Sequence, residues 1–197
     1  ALLEDEKPAR LAELNEDQAA IVKHFQLLTM KPMLYVANVG EDEVADADSN
    51  ENVRLVREFA AKEGAEVIVI CARIEEEIAE LEPEERQEFL VDLGIEESGL
   101  DQLIHAAYST LGLATYFTAG EKEVRAWTFK KGMKAPQCAG VIHSDFERGF
   151  IRAEVVAYED LAAAGNMATV KEQGRYRSEG KEYVFQDGDV VTFRFNV

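Results

Sequence analysis

The sequence predicts a two-part chain, in which an α/β segment with a parallel sheet precedes an α+β domain. Two apolar runs, 32–37 and 65–71, lack polar alternation and flank a helical stretch, which is typical of parallel strands buried on both faces. From 113 onward, apolar residues alternate with period two, which is typical of antiparallel hairpins. The charge also changes along the chain. The residues from 121 onward contain 12 basic and 12 acidic side chains, so the first 120 residues carry the whole net charge of -18.

Composition excludes several classes of protein. With 197 residues, 47% of them hydrophobic, the chain can bury a core in one or two domains. No apolar run approaches the roughly 20 residues that a membrane helix requires, and the start shows no signal-peptide pattern. The two cysteines, Cys71 and Cys138, lie far apart and have no CxxC partner, which argues against a disulfide scaffold or a zinc site. We therefore expect a cytoplasmic protein without membrane contact, and a buried, inert Cys138.

The first predicted element is an amphipathic helix over 10–29 with a narrow, coiled-coil-like stripe. Its apolar positions recur at spacings of three, four and seven residues: Leu11, Leu14, Ile21, Phe25 and Leu28. Asn15 marks a cap or a break within this stretch, because asparagine is a preferred residue at helix N-termini.

A βαβ unit follows. The strand at 32–37 precedes a helix over 50–62 with Gly64 as its C-terminal cap, and then comes the strand at 65–71. Two further helices are predicted over 75–93, with a fresh start at Pro83, and over 98–111. Two strands do not make a stable sheet, so this α/β piece reads as incomplete.

The second part reads as a β-grasp domain of ubiquitin type. Its predicted order is a hairpin, a helix, a strand, a short helix closed by Gly165, and a final hairpin. The corresponding ranges are 114–118 with 124–129, 135–146, 150–158, 159–164, and 183–186 with 190–196.

Polar residues follow the first strand, as Asn38-Val39-Gly40-Glu41. In open α/β sheets, ligands bind beyond the carboxyl ends of the strands. An amide there can donate and accept hydrogen bonds and a carboxylate can accept them, so together they can read the edge of a purine. The alternative is a polar turn that merely ends the strand.

Three long motifs in the second part resemble those of a known protein family. TFKKG at 128–132, APQCAGVIHSDFERGFIRAEV at 135–155 and GDVVTFRFN at 188–196 resemble the TGS domain of YchF-type, Obg-like ATPases. The match runs through most of the chain. The family fold is a P-loop nucleotide-binding domain that is interrupted by a helical coiled-coil arm and followed by a TGS domain. The resemblance thus implies three parts: the end of the arm at 1–29, the C-terminal part of the nucleotide-binding domain at 30–112, and a TGS domain at 113–197.

The resemblance also implies which residues contact the nucleotide base. Asn38, Val39 and Glu41 stand where most GTPases carry Asn-Lys-x-Asp, and this altered motif implies a preference for ATP over GTP. Ala72, just past the second strand, resembles the other base-contacting loop and would lend a backbone N–H.

The phosphate-binding motif GxxxxGK[ST] does not occur in this sequence. Without it, nothing here would cradle phosphates or hold Mg²⁺. ATP and Mg²⁺ are therefore expected as cofactors of the intact family protein, and no catalytic residue or metal ligand is predicted in this chain. The rival hypothesis is a non-enzymatic, TGS-containing adaptor that binds RNA or the ribosome.

Basic residues of the second part are expected to gather near one helix–strand corner and to contact ribosomal RNA: Lys130, Lys131, Lys134, Arg148 and Arg152. The alternative is a solvated charged surface. The ribosome is the expected partner, as the family resemblance implies, and DNA is not expected. The acidic first part is unsuited to lie on a phosphate backbone.

The missing P-loop predicts that this chain alone does not hydrolyse ATP. With Mg-ATP, phosphate release should not exceed the enzyme-free blank, because no residue is available to bind the γ-phosphate or its metal ion. Measurable hydrolysis that is abolished by Asn38→Ala would contradict this expectation.

Overall fold

The computed structural model, which describes residues 2, 4–120 and 123–196, divides into two units, Ala1–Leu111 and Gly112–Val197. Unit 1 contains a two-stranded parallel sheet, as the apolar runs predict. Strands β1 (Leu34–Asn38) and β2 (Glu66–Ile70) pair in register from Leu34↔Glu66 to Asn38↔Ile70. Burial on both faces was expected but does not occur within this unit. Only Ile68 of these strands is buried, and Val36 is 47% exposed.

The prediction of one helix over 10–29 is wrong. Only α1 (Glu16–Lys23) is α-helical, between 3-10 turns at Ala9–Leu11 and Leu28–Met30. Asn15 is the cap: its side chain accepts from the backbone N–H of Gln18 at 2.9 Å, while its own N–H donates to the Gln18 side chain at 3.1 Å. This capping box starts a new helix and thereby interrupts the stripe. Gln26, with φ of 49°, breaks the helical backbone after α1.

The helix between the two strands, α2 (Glu51–Glu63), is confirmed. The Asn50 side chain caps its N-terminus, and Gly64 ends it in the left-handed conformation at φ 65°. The chain then forms β2 and enters α3 (Ala72–Ala79), which begins three residues before the predicted start. This early start matters because it places Ala72 at a helix N-terminus.

Two more helices complete unit 1. Pro83 begins α4 (Pro83–Asp92), where its missing N–H costs no hydrogen bond, and Ser98 caps α5 (Gly99–Thr110). The apolar faces of α3 and α4 meet in a small core formed by Cys71, Ile74, Ile78 and Leu90.

Unit 2 is a five-stranded mixed sheet. Its strands are β3 (Leu113–Ala119), β4 (Val124–Lys130), β5 (Phe150–Ala157), β6 (Arg177–Glu179) and β7 (Asp189–Phe195), in the spatial order β4-β3-β7-β5-β6. The first hairpin, β3 with β4, is confirmed, and β7 pairs parallel to β3 and antiparallel to β5. The predicted mixed α/β class therefore holds.

The predicted final hairpin is wrong. In place of a strand at 183–186, Val184 forms only an isolated bridge with Lys134. Asp187 connects the intended turn to β3, because it accepts from Thr115 N at 2.7 Å, and Asp189 accepts from Gln186 N at 3.0 Å within the turn. The partners of β7 are consequently β3 and β5.

Helices of unit 2 follow the predicted order with one addition. The segment 135–146 forms two helices, α6 (Ala135–Ile142) and α7 (Ser144–Arg148), and α8 (Tyr158–Ala164) ends at Gly165. The helix α9 (Met167–Glu172) was not predicted. No described helix has the length and apolar character to cross a membrane.

An aromatic cluster forms the core of unit 2. Tyr116 is fully buried among Phe129, Phe185 and Phe193, and its hydroxyl donates to the Cys138 carbonyl at 2.9 Å. Burial raises the pKa of the Cys138 thiol from 9.0 to about 12. The expected burial of the Cys138 thiol is therefore confirmed, and a raised pKa disfavours its reactive thiolate form.

Gly99 provides a test of the packing in unit 1. A Cβ at this position would lie 2.6 Å from Ile70 Cγ2 and 2.9 Å from Glu75 Oε1. Gly99→Ala should therefore lower the free energy of unfolding of unit 1 by about 1–3 kcal/mol, as overpacking does. Urea denaturation followed by circular dichroism measures the change. Gly180→Ala, in unit 2, is the control for a glycine substitution without a clash, since a Cβ there meets nothing within 4 Å. Equal midpoints for both variants would contradict this account.

Candidate nucleotide-base site

The carboxyl ends of the two parallel strands bring together the residues predicted to contact a base. Beyond the last register pair, Asn38↔Ile70, the N–H of Val39 still donates to the Ile70 carbonyl at 2.9 Å. The chain leaving β1 therefore lies beside the chain leaving β2. We call this place, formed by residues 38–41 and 72–73, the strand-end site.

Asn38 links the two halves of the strand-end site. Its Oδ1 accepts a hydrogen bond from the backbone N–H of Ala72 at 3.0 Å. Ala72 is the first residue of α3, and an N–H at that position has no partner within its own helix. Asn38 therefore caps α3 from the neighbouring strand. The prediction that Ala72 lends this N–H to a base requires modification, because the N–H is engaged within the protein.

Glu41 forms an ion pair across the same junction. Its carboxylate lies 2.9 Å from Nε of Arg73, which is also 3.5 Å from Glu77. Both Glu41 and Arg73 are largely exposed, so water screens the pair and its contribution to stability is small. The ion pair nevertheless gives the Glu41 carboxylate a partner, Arg73, at the edge of the strand-end site. Arg73 was not identified from the sequence.

Two further carboxylates, close to the strand-end site in the sequence, hold neighbouring elements of unit 1 and were also missed. Glu43 accepts from Gly40 N at 3.0 Å and from Asn50 Nδ2 at 2.8 Å, so it connects the loop after β1 with the N-cap of α2. Glu75 accepts from the backbone N–H groups of Gly99 at 2.7 Å and Leu100 at 3.1 Å, at the N-terminus of α5. A carboxylate is favourable there because of the helix dipole. Neither contact has a sequence signal, since both depend on tertiary packing.

The side chains of the strand-end site can bind a ligand through hydrogen bonds and stacking. The site offers the exposed amide of Asn38 and the planar guanidinium of Arg73. The backbone N–H groups of Val39 and Gly40 are already engaged within the protein. No group of three or more metal-ligating side chains occurs in the described part of the chain. The arrangement suits hydrogen bonding and stacking with a flat heterocycle.

The five basic residues predicted to gather at one corner of unit 2 form two separate groups. Lys130 pairs with Leu113 at one end of the sheet, close to Lys131 and Lys134 in the chain. Arg152 lies opposite Arg194 near the end of β7, and β7 runs parallel to β3 from the Phe117↔Val190 contact. That register places Arg152 at the other end of the sheet, so the predicted single corner is wrong. Three of the five have ion-pair partners: Lys134 with Glu182, Arg148 with Asp145, and Arg152 with Glu154.

Glu154 organises the second group. Arg152 Nη2 donates to its Oε1 at 2.9 Å, Arg194 Nε donates to its Oε2 at 3.0 Å, and the Tyr176 hydroxyl donates to Oε2 at 3.1 Å. The Arg194 guanidinium, assisted by Arg152 and Tyr176, lowers the pKa of Glu154 from 4.5 to about 2. Glu154 therefore stays ionised at neutral pH and holds two arginines on the sheet surface.

The parallel strands, with a helix between them and polar residues beyond their carboxyl ends, place unit 1 in the α/β class, in which ligands commonly bind at that edge. The comparisons assign a family within this class. Residues 113–196 match the family model YchF-GTPase_C, described as a protein of unknown function (DUF933). The fission yeast structure "Structure of the Schizosaccharomyces pombe YchF GTPase" matches with a TM-score of 0.85 and 34% identity, over 97% of this chain and 50% of that chain.

Curated relatives match over nearly the whole chain. The "Ribosome-binding ATPase YchF" of Bacillus subtilis (strain 168) is 73% identical over 194 residues, covering 98% of this chain and 53% of the relative. The protein of the same name from Escherichia coli O157:H7 is 49% identical, covering 99% of this chain and 53% of the relative. The chain belongs to the YchF family, and it spans about half the length of the curated relatives that it matches. The resemblance read from the motifs is confirmed.

Acid titration tests the Glu154 network. Because the folded state lowers the pKa of Glu154 from 4.5 to about 2, its stabilising contribution is complete above pH 4.5 and is lost as the pH falls toward 2. The difference in thermal midpoint between wild type and Glu154→Gln, followed by Trp127 fluorescence, should therefore shrink over that range. Glu172→Gln is the control, since this exposed carboxylate has no ion pair among the described residues. A Glu154→Gln difference that stays constant with pH would exclude the network.

Proposed function

We propose that this chain contains the base-recognition segment of a YchF-type ATPase that acts on the ribosome. In this proposal, a P-loop that is absent from this sequence holds the ATP phosphates and Mg²⁺, and the chain alone is inactive. The three parts inferred from the sequence, 1–29, 30–112 and 113–197, would be the end of the arm, part of the nucleotide-binding domain, and a TGS domain. The ribosome as partner implies the cytoplasm as the site of action.

The hydrogen bond from Ala72 N to Asn38 Oδ1 is the observation that carries the proposal. It fixes which end of the amide faces the protein, because the Ala72 N–H must meet the oxygen. The structure describes no partner for Nδ2, within residues 2, 4–120 and 123–196, so this group remains available to donate. Adenine offers N7 as an acceptor and N6 as a donor, and an asparagine amide matches this pair.

The same orientation supports a preference for ATP. The second lone pair of Asn38 Oδ1 would accept from the N6 amino group of adenine, whereas guanine presents the O6 acceptor at that position. A free carboxylate would favour guanine, whose N1–H and N2 groups are donors. Glu41 instead has Arg73 as its partner at 2.9 Å. The contacts of Asn38 with Ala72 and of Glu41 with Arg73 therefore both favour binding of ATP over GTP.

The exposure of strand β1 supports the proposal that it lies within a larger sheet in the intact protein. Val36 is 47% exposed on a strand that carries no charged residue, and the sheet of unit 1 has two strands within the described residues. A strand of this composition is stabilised when further strands or helices cover it. The adaptor hypothesis does not account for such a strand, although the basic residues of unit 2 are compatible with it.

Substitutions at Asn38 separate base recognition from helix capping. Asn38→Asp keeps an oxygen that accepts from Ala72 but loses the Nδ2 donor, whereas Asn38→Ala loses both. In a nitrogen-15 NMR titration with millimolar AMP, wild-type amide shifts should be largest at Val39, Gly40 and Arg73 and stronger with AMP than with GMP. Asn38→Asp should abolish these shifts while it keeps the thermal midpoint of the wild type, and Asn38→Ala should lower that midpoint slightly, as loss of a cap does.

CMP controls for the phosphate and ribose of the ligand. Equal shifts with AMP and CMP, or AMP shifts that survive in Asn38→Asp, would show that the strand-end site does not read the base.

A further inference from the structure

The loop that follows β1 is closed by a reciprocal pair of hydrogen bonds. Glu43 donates its backbone N–H to the Gly40 carbonyl at 3.1 Å, and its Oε2 accepts from the Gly40 N–H at 3.0 Å. A Cβ on Gly40 would lie 3.2 Å from that oxygen, so a glycine leaves room for the carboxylate. The two hydrogen bonds close a turn with Glu41 and Asp42 at its centre. We call residues 40–43 the base-loop turn.

Glu43 also ties the base-loop turn to the helix α2. Its second oxygen, Oε1, accepts from Asn50 Nδ2 at 2.8 Å. Asn50 is fixed in turn, because its Oδ1 accepts from the backbone N–H groups of Asn52 at 2.9 Å and Val53 at 3.2 Å. Val53 is only 2% exposed, so this end of α2 is anchored in unit 1. One carboxylate therefore holds the base-loop turn in a defined position beside α2.

The position of the base-loop turn determines where the Glu41 side chain lies. Its carboxylate reaches Arg73 Nε at 2.9 Å, across the strand-end site. The two side chains of this ion pair are 46% and 72% exposed, so solvent screening leaves the pair weak on its own. The closed backbone of the turn is therefore needed to keep Glu41 beside Arg73, and Glu43 is the side chain that closes it.

We propose that Glu43 is a positioning residue that sets the purine preference of the strand-end site. A carboxylate that is free to move can accept from the N1–H and N2 groups of guanine, whereas adenine does not present this pair of donors. By keeping Glu41 on Arg73, Glu43 withholds the acceptor that guanine needs. Specificity is a difference between two affinities, and weakening the wrong ligand raises it. This role rests on the proposed function of the strand-end site in base recognition.

Glu43→Gln tests this role. Glutamine has a single side-chain oxygen, so it can accept from Gly40 or from Asn50 but not from both. In nitrogen-15 NMR titrations with AMP and with GMP, the ratio of the AMP affinity to the GMP affinity should fall about fivefold, as expected for the loss of one hydrogen bond. A residue with a purely structural role would change the thermal midpoint and leave this ratio unaltered.

Two further variants test the route by which Glu43 acts. Asn50→Asp removes the Nδ2 donor and places a second carboxylate beside Glu43, while it keeps an oxygen that caps α2. It should lower the affinity ratio as Glu43→Gln does and retain a thermal midpoint close to that of the wild type. Glu41→Gln added to Glu43→Gln should restore the preference for AMP, because the carboxylate available to guanine is then gone.

Asp42→Asn is the matched control. It removes one negative charge from the same turn, and its exposed side chain has no hydrogen bond or ion pair within residues 2, 4–120 and 123–196. The ratio of AMP to GMP affinity should equal that of the wild type. Thermal midpoints establish that each variant is folded.

The outcomes separate the role of Glu43 from the proposed function. A wild-type affinity ratio in both Glu43→Gln and Asn50→Asp, together with normal AMP binding, would overturn the role of Glu43 and leave base recognition intact. An equal fall of the ratio in Asp42→Asn would also overturn it, since net charge would then be the cause. Failure of the added Glu41→Gln to restore the ratio would exclude an action through Glu41. Wild-type protein that binds neither AMP nor GMP would overturn base recognition itself, and the role of Glu43 with it.

Discussion

The parallel register of β1 and β2 is the constraint on which the strand-end site depends. Because Asn38 stands opposite Ile70, both strands end at the same edge, and the residues that follow them meet there. The hydrogen bond between Asn38 Oδ1 and Ala72 N is possible only in this register. A slip by one residue would turn the Asn38 side chain to the other face of the sheet. The base-recognition proposal thus follows from strand pairing, and the short motif gains its meaning from the second strand.

Carboxylates hold neighbouring elements or side chains in place in both units. Glu43 holds the loop after β1, Glu75 holds the N-terminus of α5, and Glu154 holds two arginines on the sheet of unit 2. Each accepts at least two hydrogen bonds, and hydrogen bonds to charged acceptors are stronger than neutral ones. Some of the acidic residues that give the chain its net charge of -18 therefore have structural roles, so the overall charge is a poor guide to where an anionic partner could bind.

Helix caps and helix ends were predictable from nearby residues in the sequence, whereas features that depend on contacts with distant residues were missed. Asn15, Gly64 and Pro83 act through neighbouring backbone groups, and their roles as cap, helix end and helix start were readable from the sequence. β6 has the sequence Arg-Ser-Glu and no apolar alternation, so only its pairing with β5 defines it. Asn38 and Ala72 were predicted as site residues, whereas Arg73, Glu75 and Arg194 were given no role from the sequence. Their partners lie far away in the sequence or on a neighbouring strand.

The strand-end site is proposed to contact the base of an adenine nucleotide. Intermolecular nuclear Overhauser effects between AMP and the methyl groups of the chain measure this contact directly. If the strand-end site binds the base, the adenine H8 and H2 protons give signals to the methyl groups of Val39 and Ala72, which flank Asn38 in the structure. Signals that arise only from methyl groups elsewhere, with none from Val39 or Ala72, would contradict it.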